Sequence, residues 1–244
     1  MSLIRIKSFH PQTEFSPSWN IPIWLTQWSE PEKVDIVRKT VEDDEENILK
    51  EFEYANSGGT GLGPDDVTTR VGRYNVFDRY KDVPEAIGLL KFLQYSYLQY
   101  VTTQQVELKE LKIVCWANVI KQGQKMESHA HGSQPDSYLS GNVHLDDYQS
   151  KTTYHSPYDV LSKISLPNQK GGNTLFPSYC PHFTDEHTEA KKRVSIAYDL
   201  RLKGTFDEKE FKAVDFMNQA ILDEINKKRA EELAKQKKEV DTEA

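Results

Sequence analysis

The stretch Arg193-Val194-Ser195-Ile196-Ala197-Tyr198-Asp199, read together with His129-Ala130-His131 and Leu175-Phe176-Pro177-Ser178-Tyr179-Cys180-Pro181-His182, decides how this chain folds. Side chains alternate across a β-strand, so Arg193, Ser195, Ala197 and Asp199 share one face and Val194, Ile196 and Tyr198 the other. One face is polar and one apolar, the pattern of a strand whose two sides meet different surroundings. If the polar face lines a barrel interior, Arg193 and Ser195 can together hold a carboxylate, for which a guanidinium offers a fixed fork of donors. If it faces water, that idea fails. Two imidazoles spaced i, i+2, as at His129 and His131, also point to one face when the backbone is extended. His182 brings a third imidazole from a distant segment.

Working outward, the chain from about Leu111 consists of short β-branched and aromatic segments separated by turn residues. They are Ile113–Ile120, Tyr138–Leu145, Thr152–Tyr154, Asn173–Phe176 and Val194–Leu200. This spacing predicts an antiparallel sandwich or barrel. Before it, residues 19–28 read as a strand, with Pro22 placing it at a sheet edge. Residues 31–53 read as a helix opened by Pro31 and carrying Val34, Val37, Val41, Ile48, Leu49 and Phe52 on one side. Its acidic run, Glu42 to Glu46, reads as a solvated face. Residues 56–65 hold four glycines and a proline and read as a loop. A second helix runs from Pro84 to Val101, with Ala86, Leu89, Leu90, Leu93, Tyr97 and Tyr100 on the side that packs on a sheet. Thr205-Phe206-Asp207-Glu208 has the form of a capping box, opening a helix that carries Phe211, Val214, Ile221 and Ile225. The fold class expected is mostly β with flanking helices: one domain over residues 1–226 and a charged tail over 227–244.

Bulk composition narrows the function. The chain has 244 residues and a net charge of −7. Its mean hydropathy is −0.70. No basic stripe stands out, which weighs against nucleic acid as a partner. No apolar run approaches the roughly 20 residues of a membrane span, and the N-terminus lacks a secretory apolar segment. Two cysteines, Cys115 and Cys180, outside any CxxC pattern, fit a reducing cytoplasm. The C-terminal helix offers a surface for pairing with a second copy.

The histidines suggest a metal site that binds on one face and leaves positions open, the arrangement of non-haem Fe(II) chemistry. His129 and His182 are the leading ligands. For the third, His131 has the right spacing, Asp136 lies in the turn after it, and His144-Leu145-Asp146 is a literal H-x-D. His144 otherwise reads as a pocket-lining side chain able to support the ligands. Asn118 can donate a hydrogen bond to a co-substrate and Trp116, on the same face, can wall the pocket. Asp66 to Arg70 and Tyr74 to Phe77 read as a structural turn and strand that could also shape the substrate mouth.

Taken in order, Trp116-Ala117-Asn118, Gly123, His129-Ala130-His131, Tyr138 to Leu145, Gly172, Leu175 to Ser178, His182 and Arg193 to Tyr198 resemble the iron(II)/2-oxoglutarate-dependent oxygenases. The subgroup they resemble is common in marine bacteria and their phages. The blocks span residues 112–200. The resemblance implies a double-stranded β-helix, or jelly-roll, core, with Fe(II) held by two histidines and one carboxylate. It also implies 2-oxoglutarate as co-substrate, its far carboxylate on a basic residue after the second histidine. Carried over, His129 and His182 are ligands and Arg193 is the anchor, with Ser195 and Asn118 beside it. The chain departs from the pattern at position 131, which is His rather than Asp. The third ligand is then His131, or Asp136, or absent. The activity implied is hydroxylation of a C–H bond of a small molecule or peptidyl side chain by O2, with release of succinate and CO2. The competing readings are a jelly-roll metal-binding scaffold without catalysis and a cupin-type metalloenzyme that does not use 2-oxoglutarate.

Overall fold

The structure is a computed structural model and describes residues 1–55, 59–132, 137–205, 211–227 and 231. Ten strands form in chain order: β1 (Ser2–Lys7), β2 (Asn20–Gln27), β3 (Leu111–Ile120), β4 (Leu139–His144), β5 (Tyr148–His155), β6 (Lys163–Asn168), β7 (Gly172–Pro177), β8 (His182–Thr184), β9 (Arg193–Leu202) and β10 (Ala213–Met217). Seven make a large antiparallel sheet, β1-β2-β7-β4-β9-β3-β10, and three a small one, β6-β5-β8. This is the mostly β, antiparallel architecture expected from the strand spacing, with the jelly-roll core that the resemblance implies.

The alternation in β9 decides how the layers stack. Val194, Ile196, Tyr198 and Leu200 face one way and join a core shared with α1 (Pro31–Glu51), the short α2 (Val76–Arg79) and α3 (Pro84–Gln104). Val34, Val37, Val41 and Ile48 of α1, and Leu89, Leu93 and Tyr97 of α3, are its helical side. Burying such aliphatic and aromatic chains contributes roughly 1.5–3 kcal/mol each. The polar face of β9 therefore turns inward, toward the small sheet. β9 is central, paired with β3 on one side and β4 on the other. The register sets rows across the three strands: Asn118, Ser195 and His144 form one, and Trp116, Ala197 and Asn142 the next. Gly141 pairs with Tyr198, and a Cβ there would sit 2.4 Å from the tyrosine ring and 2.7 Å from the Thr174 carbonyl. Only glycine leaves room for that ring, whose hydroxyl donates to Asn173 Oδ1 at 2.8 Å.

Several sequence expectations change. β2 is not an edge: β1 pairs along its whole length, and Arg5 lies opposite Pro22. The proline is tolerated because pairing with β7 begins only at Trp24. The acidic run of α1 is not uniformly solvated. Asp44 binds the Arg79 guanidinium and accepts from Tyr80, and Glu45 is buried against Lys192. The Glu45–Lys192 pair fastens the start of β9 to the helix layer. Val214 lies in strand β10, opposite Ile113, rather than in a helix. Phe211 precedes that strand, and the helix α4 begins only at residue 219. Pairing with the exposed edge of β3 outweighs the local helical pattern. The capping-box residues Phe206 to Glu208 lie outside the described residues. No helix among the described residues is long and apolar enough to cross a membrane.

Candidate metal centre

The open end of the sandwich brings His129, His131 and His182 together. Each offers one ring nitrogen, and these three atoms lie within 4.8 Å of one another. The placement follows from backbone pairing. His129 and His182 exchange N–H···O bonds of 3.1 and 2.9 Å, so the loop before β4 is stitched to the start of β8. The His131 N–H donates to the Ser178 carbonyl at 2.9 Å. Ring centroids are 4.4 Å apart for His129 and His182, and 5.0 Å for His131 and His182.

The tautomers follow from the partners. Nδ1 of His129 lies 2.8 Å from the Glu127 carbonyl, and Nδ1 of His182 lies 3.2 Å from the Cys180 carbonyl. Nδ1 of His131 lies 2.6 Å from Asp199 Oδ1. A carbonyl or carboxylate only accepts, so each Nδ1 carries a proton and the nitrogen left for a metal is Nε2. The three imidazoles thus turn one nitrogen each toward a common point, which is what a bound metal requires. Burial, with His131 alongside, lowers the His129 pKa to about 4, and burial also pushes that of His182 well below its ordinary value. Both rings are therefore neutral and ready to ligate near neutral pH.

Asp199 was legible in the sequence as a member of the inward face of β9, without a role. Burial works to raise its pKa, but His131, Ser140 and Arg201 override this and hold the carboxyl below the usual range. Its Oδ1 also accepts from Ser140 Oγ at 2.7 Å. It is absent from the group of converging ligand atoms, which among the described residues contains the three histidines alone. Asp136 lies outside the described residues. The H-x-D reading fails geometrically: His144 faces inward, while Asp146 pairs with Lys191 at 3.0 Å.

The histidines line a cavity of about 660 Å³ between the two sheets, which Asn118, His144, Arg193, Ser195 and Asp199 also line. Arg193 is 2% exposed, and its Nε and Nη1 have no hydrogen-bond partner. Burial lowers its pKa to about 10, so it remains a cation at neutral pH. Asn118 Nδ2 reaches Ser195 Oγ at 3.5 Å while its Oδ1 accepts from Trp116 Nε1 at 3.1 Å. His144 Nδ1 and Asn142 Oδ1 are likewise buried and unpartnered. Burial, reinforced by Arg193, lowers the His144 pKa to about 3, so this ring is neutral. Unpaired polar atoms are rare in protein interiors, and so many around one cavity mark a place for a polar ligand. Asp66 to Arg70 is mainly structural. Its buried arginine, Arg70, donates to the Phe52 and Pro64 carbonyls at 2.9 and 2.7 Å. Thr68 alone of that segment lines the cavity.

No family model matches the chain, and no curated protein matches it in sequence. Solved structures do. A Pseudomonas putida prolyl-4-hydroxylase superposes with a TM-score of 0.51 at 13% identity, covering 75% of this chain and 93% of that one. AviO1 from Streptomyces viridochromogenes superposes at 0.52 and 10% identity, covering 73% and 88%. The chain has the jelly-roll fold of the iron(II)/2-oxoglutarate oxygenases. At these identities the likeness is one of fold, and the chemistry rests on the residues described above. In such a jelly roll the two sheets enclose the site, which here holds a histidine triad able to take a metal and a buried, unpaired arginine.

Proposed function

We propose that the chain is an Fe(II)- and 2-oxoglutarate-dependent dioxygenase that hydroxylates a C–H bond of a small organic substrate, releasing succinate and CO2. The observation that carries this reading is Arg193, a buried cation whose Nε and Nη1 are unpartnered, in the same cavity as three convergent imidazoles. His129, His131 and His182 hold the iron through Nε2. His131 is the third ligand, because its Nδ1 is engaged by Asp199 and its other nitrogen joins the cluster. Arg193 receives the far carboxylate of 2-oxoglutarate, with Ser195 Oγ and Asn118 beside it on the same inward face.

Iron bound there supplies the activation of O2 and the redox chemistry. The protein binds, orients and keeps water out. Trp116 and Phe176 wall the cavity, Asp199 holds the His131 ring, and a low-dielectric interior strengthens the attraction of Arg193 for a dianion. A three-histidine set lacks the negative charge that the carboxylate brings to the two-histidine, one-carboxylate pattern. Asp199 supplies that charge one hydrogen bond further out.

The test is an anaerobic Fe(II) titration with 2-oxoglutarate, read by the weak visible charge-transfer band of a chelated 2-oxo acid. Its appearance in the wild type, with loss in His182→Ala, is the expected result. Iron binding without the band would point to a cupin-type site. Absence of iron binding would point to a non-catalytic scaffold.

A further inference from the structure

Among the described residues, three arginines line the cavity, Arg73, Arg193 and Arg201, against one aspartate, with no lysine or glutamate. This cationic excess stands out in a chain of net charge −7. Arg193 lies at one end of β9 and serves the co-substrate in the reading above. Arg201 lies at the other end, on the same face, two residues beyond Asp199 or roughly 7 Å along the strand. The histidine cluster therefore sits between two guanidinium ends.

The outer end is built. Arg201 lies over the Phe211 ring with its guanidinium carbon 4.4 Å from the centroid, and its Nη2 is 3.5 Å from Asp199 Oδ2. Phe211 also packs on Gly72, where any Cβ would meet the ring at 2.7 Å. Gly72 adopts φ +74°, which favours glycine, and its carbonyl accepts from the Lys212 N–H at 2.9 Å. This arrangement sets the next residue, Arg73, at the rim, exposed. Its guanidinium has no hydrogen bond or ion pair among the described residues.

We propose that the mouth of the cavity binds the anionic group, carboxylate or phosphate, of a small-molecule substrate between Arg73 and Arg201. The proposal rests on the functional reading above for the role of Arg193. The spacing places the anionic group several bonds from the carbon to be oxidised, with apolar atoms between them against Val71 and Trp116. A cavity of about 660 Å³ suits a ligand of that size.

The test titrates phenyl phosphate, benzoate and benzyl alcohol by calorimetry into protein saturated with Mn(II) and N-oxalylglycine, an unreactive 2-oxoglutarate mimic that fills the Arg193 end. At least one anion is expected to bind about fivefold or more tightly than benzyl alcohol. Arg73→Gln is expected to weaken that anion about fivefold, and adding Arg201→Gln should bring it to the level of the neutral probe. Tighter phenyl phosphate assigns a phosphate, tighter benzoate a carboxylate. Equal binding of all three probes, no binding of any, or no effect of Arg73→Gln would overturn the proposal. Failure of Mn(II) and N-oxalylglycine to bind would instead refute the functional reading. The same probes in metal-free Arg193→Met protein would then still decide the mouth by itself.

Discussion

Replacing Arg193 by methionine should make the metal-free protein more stable and the 2-oxoglutarate complex much weaker. The guanidinium is 2% exposed, with Nε and Nη1 unpartnered and burial lowering its pKa from the ordinary guanidinium value to about 10. A basic group whose folded pKa is depressed costs stability wherever it is charged, here throughout the range below pH 10. At 1.36 kcal/mol per pH unit the cost is on the order of 3 kcal/mol. Methionine keeps the length and removes the charge, so part of that cost is recovered. Each kcal/mol is worth roughly 2–4 °C in a chain of this size, and the expected rise in Tm is several degrees. Binding should move the other way. Two charge-assisted hydrogen bonds to a carboxylate contribute about 1.5–3 kcal/mol each, so affinity should fall roughly 10²- to 10⁴-fold. Scanning fluorimetry of the metal-free protein and calorimetry of 2-oxoglutarate binding to the Mn(II) form measure the two effects. A lower Tm with unchanged 2-oxoglutarate affinity would show Arg193 to be a structural cation and would refute the reasoning.

Asp199→Asn is close in shape but removes the charge that orients His131. Fe(II) or Co(II) affinity is expected to drop about 10- to 100-fold, as for other carboxylates behind a metal-bound histidine, measured by equilibrium dialysis; unchanged affinity would remove Asp199 from that role. The metal-free protein should lose stability as pH falls. Burial holds His129 near 4 and His144 near 3 and lowers His182, whereas the unfolded chain takes up these protons near 6.5. Stability is thus full above about pH 6.5 and declines toward pH 4, in urea unfolding series at pH 7.5, 5.5 and 4.5; a flat profile would contradict the buried, neutral rings. Gly141→Ala drives a methyl into Tyr198 and the Thr174 carbonyl and should cost roughly 1–3 kcal/mol, with partial recovery in a Tyr198→Leu background. No recovery would place the strain elsewhere.

Much of the β core was legible because burial on a strand writes itself into the period-two alternation of the sequence. The two faces of β9 carry that signature, the helices opened by Pro31 and Pro84 carry the 3.6-residue one, and the strands around Trp116, Asn142 and Phe176, buried on both faces, stand out by their apolar and aromatic residues. β1 and β6 were missed, and β10 was read as helix, because they complete sheets by pairing with distant neighbours. A short edge strand needs no pattern of its own beyond what its partner tolerates. Asp44 and Glu45 were misread for a related reason: their partners, Arg79 and Lys192, lie far along the chain.

For the site the division is similar. Sequence alone determined the donors: histidines at 129, 131 and 182, and a strand presenting Arg193, Ser195 and Asp199 on one side. Those are properties of residue type and strand periodicity. Only the tertiary structure decided that the polar side of β9 faces the small sheet rather than water, because that choice depends on which face α1 and α3 cover. It alone placed Asp199 against His131 and left Arg193 Nε and Nη1 unpartnered among the described residues. The pairing of a carboxylate with an imidazole 68 residues away, and the unpartnered nitrogens of a buried cation, arise from chain segments meeting in space, which no local pattern encodes.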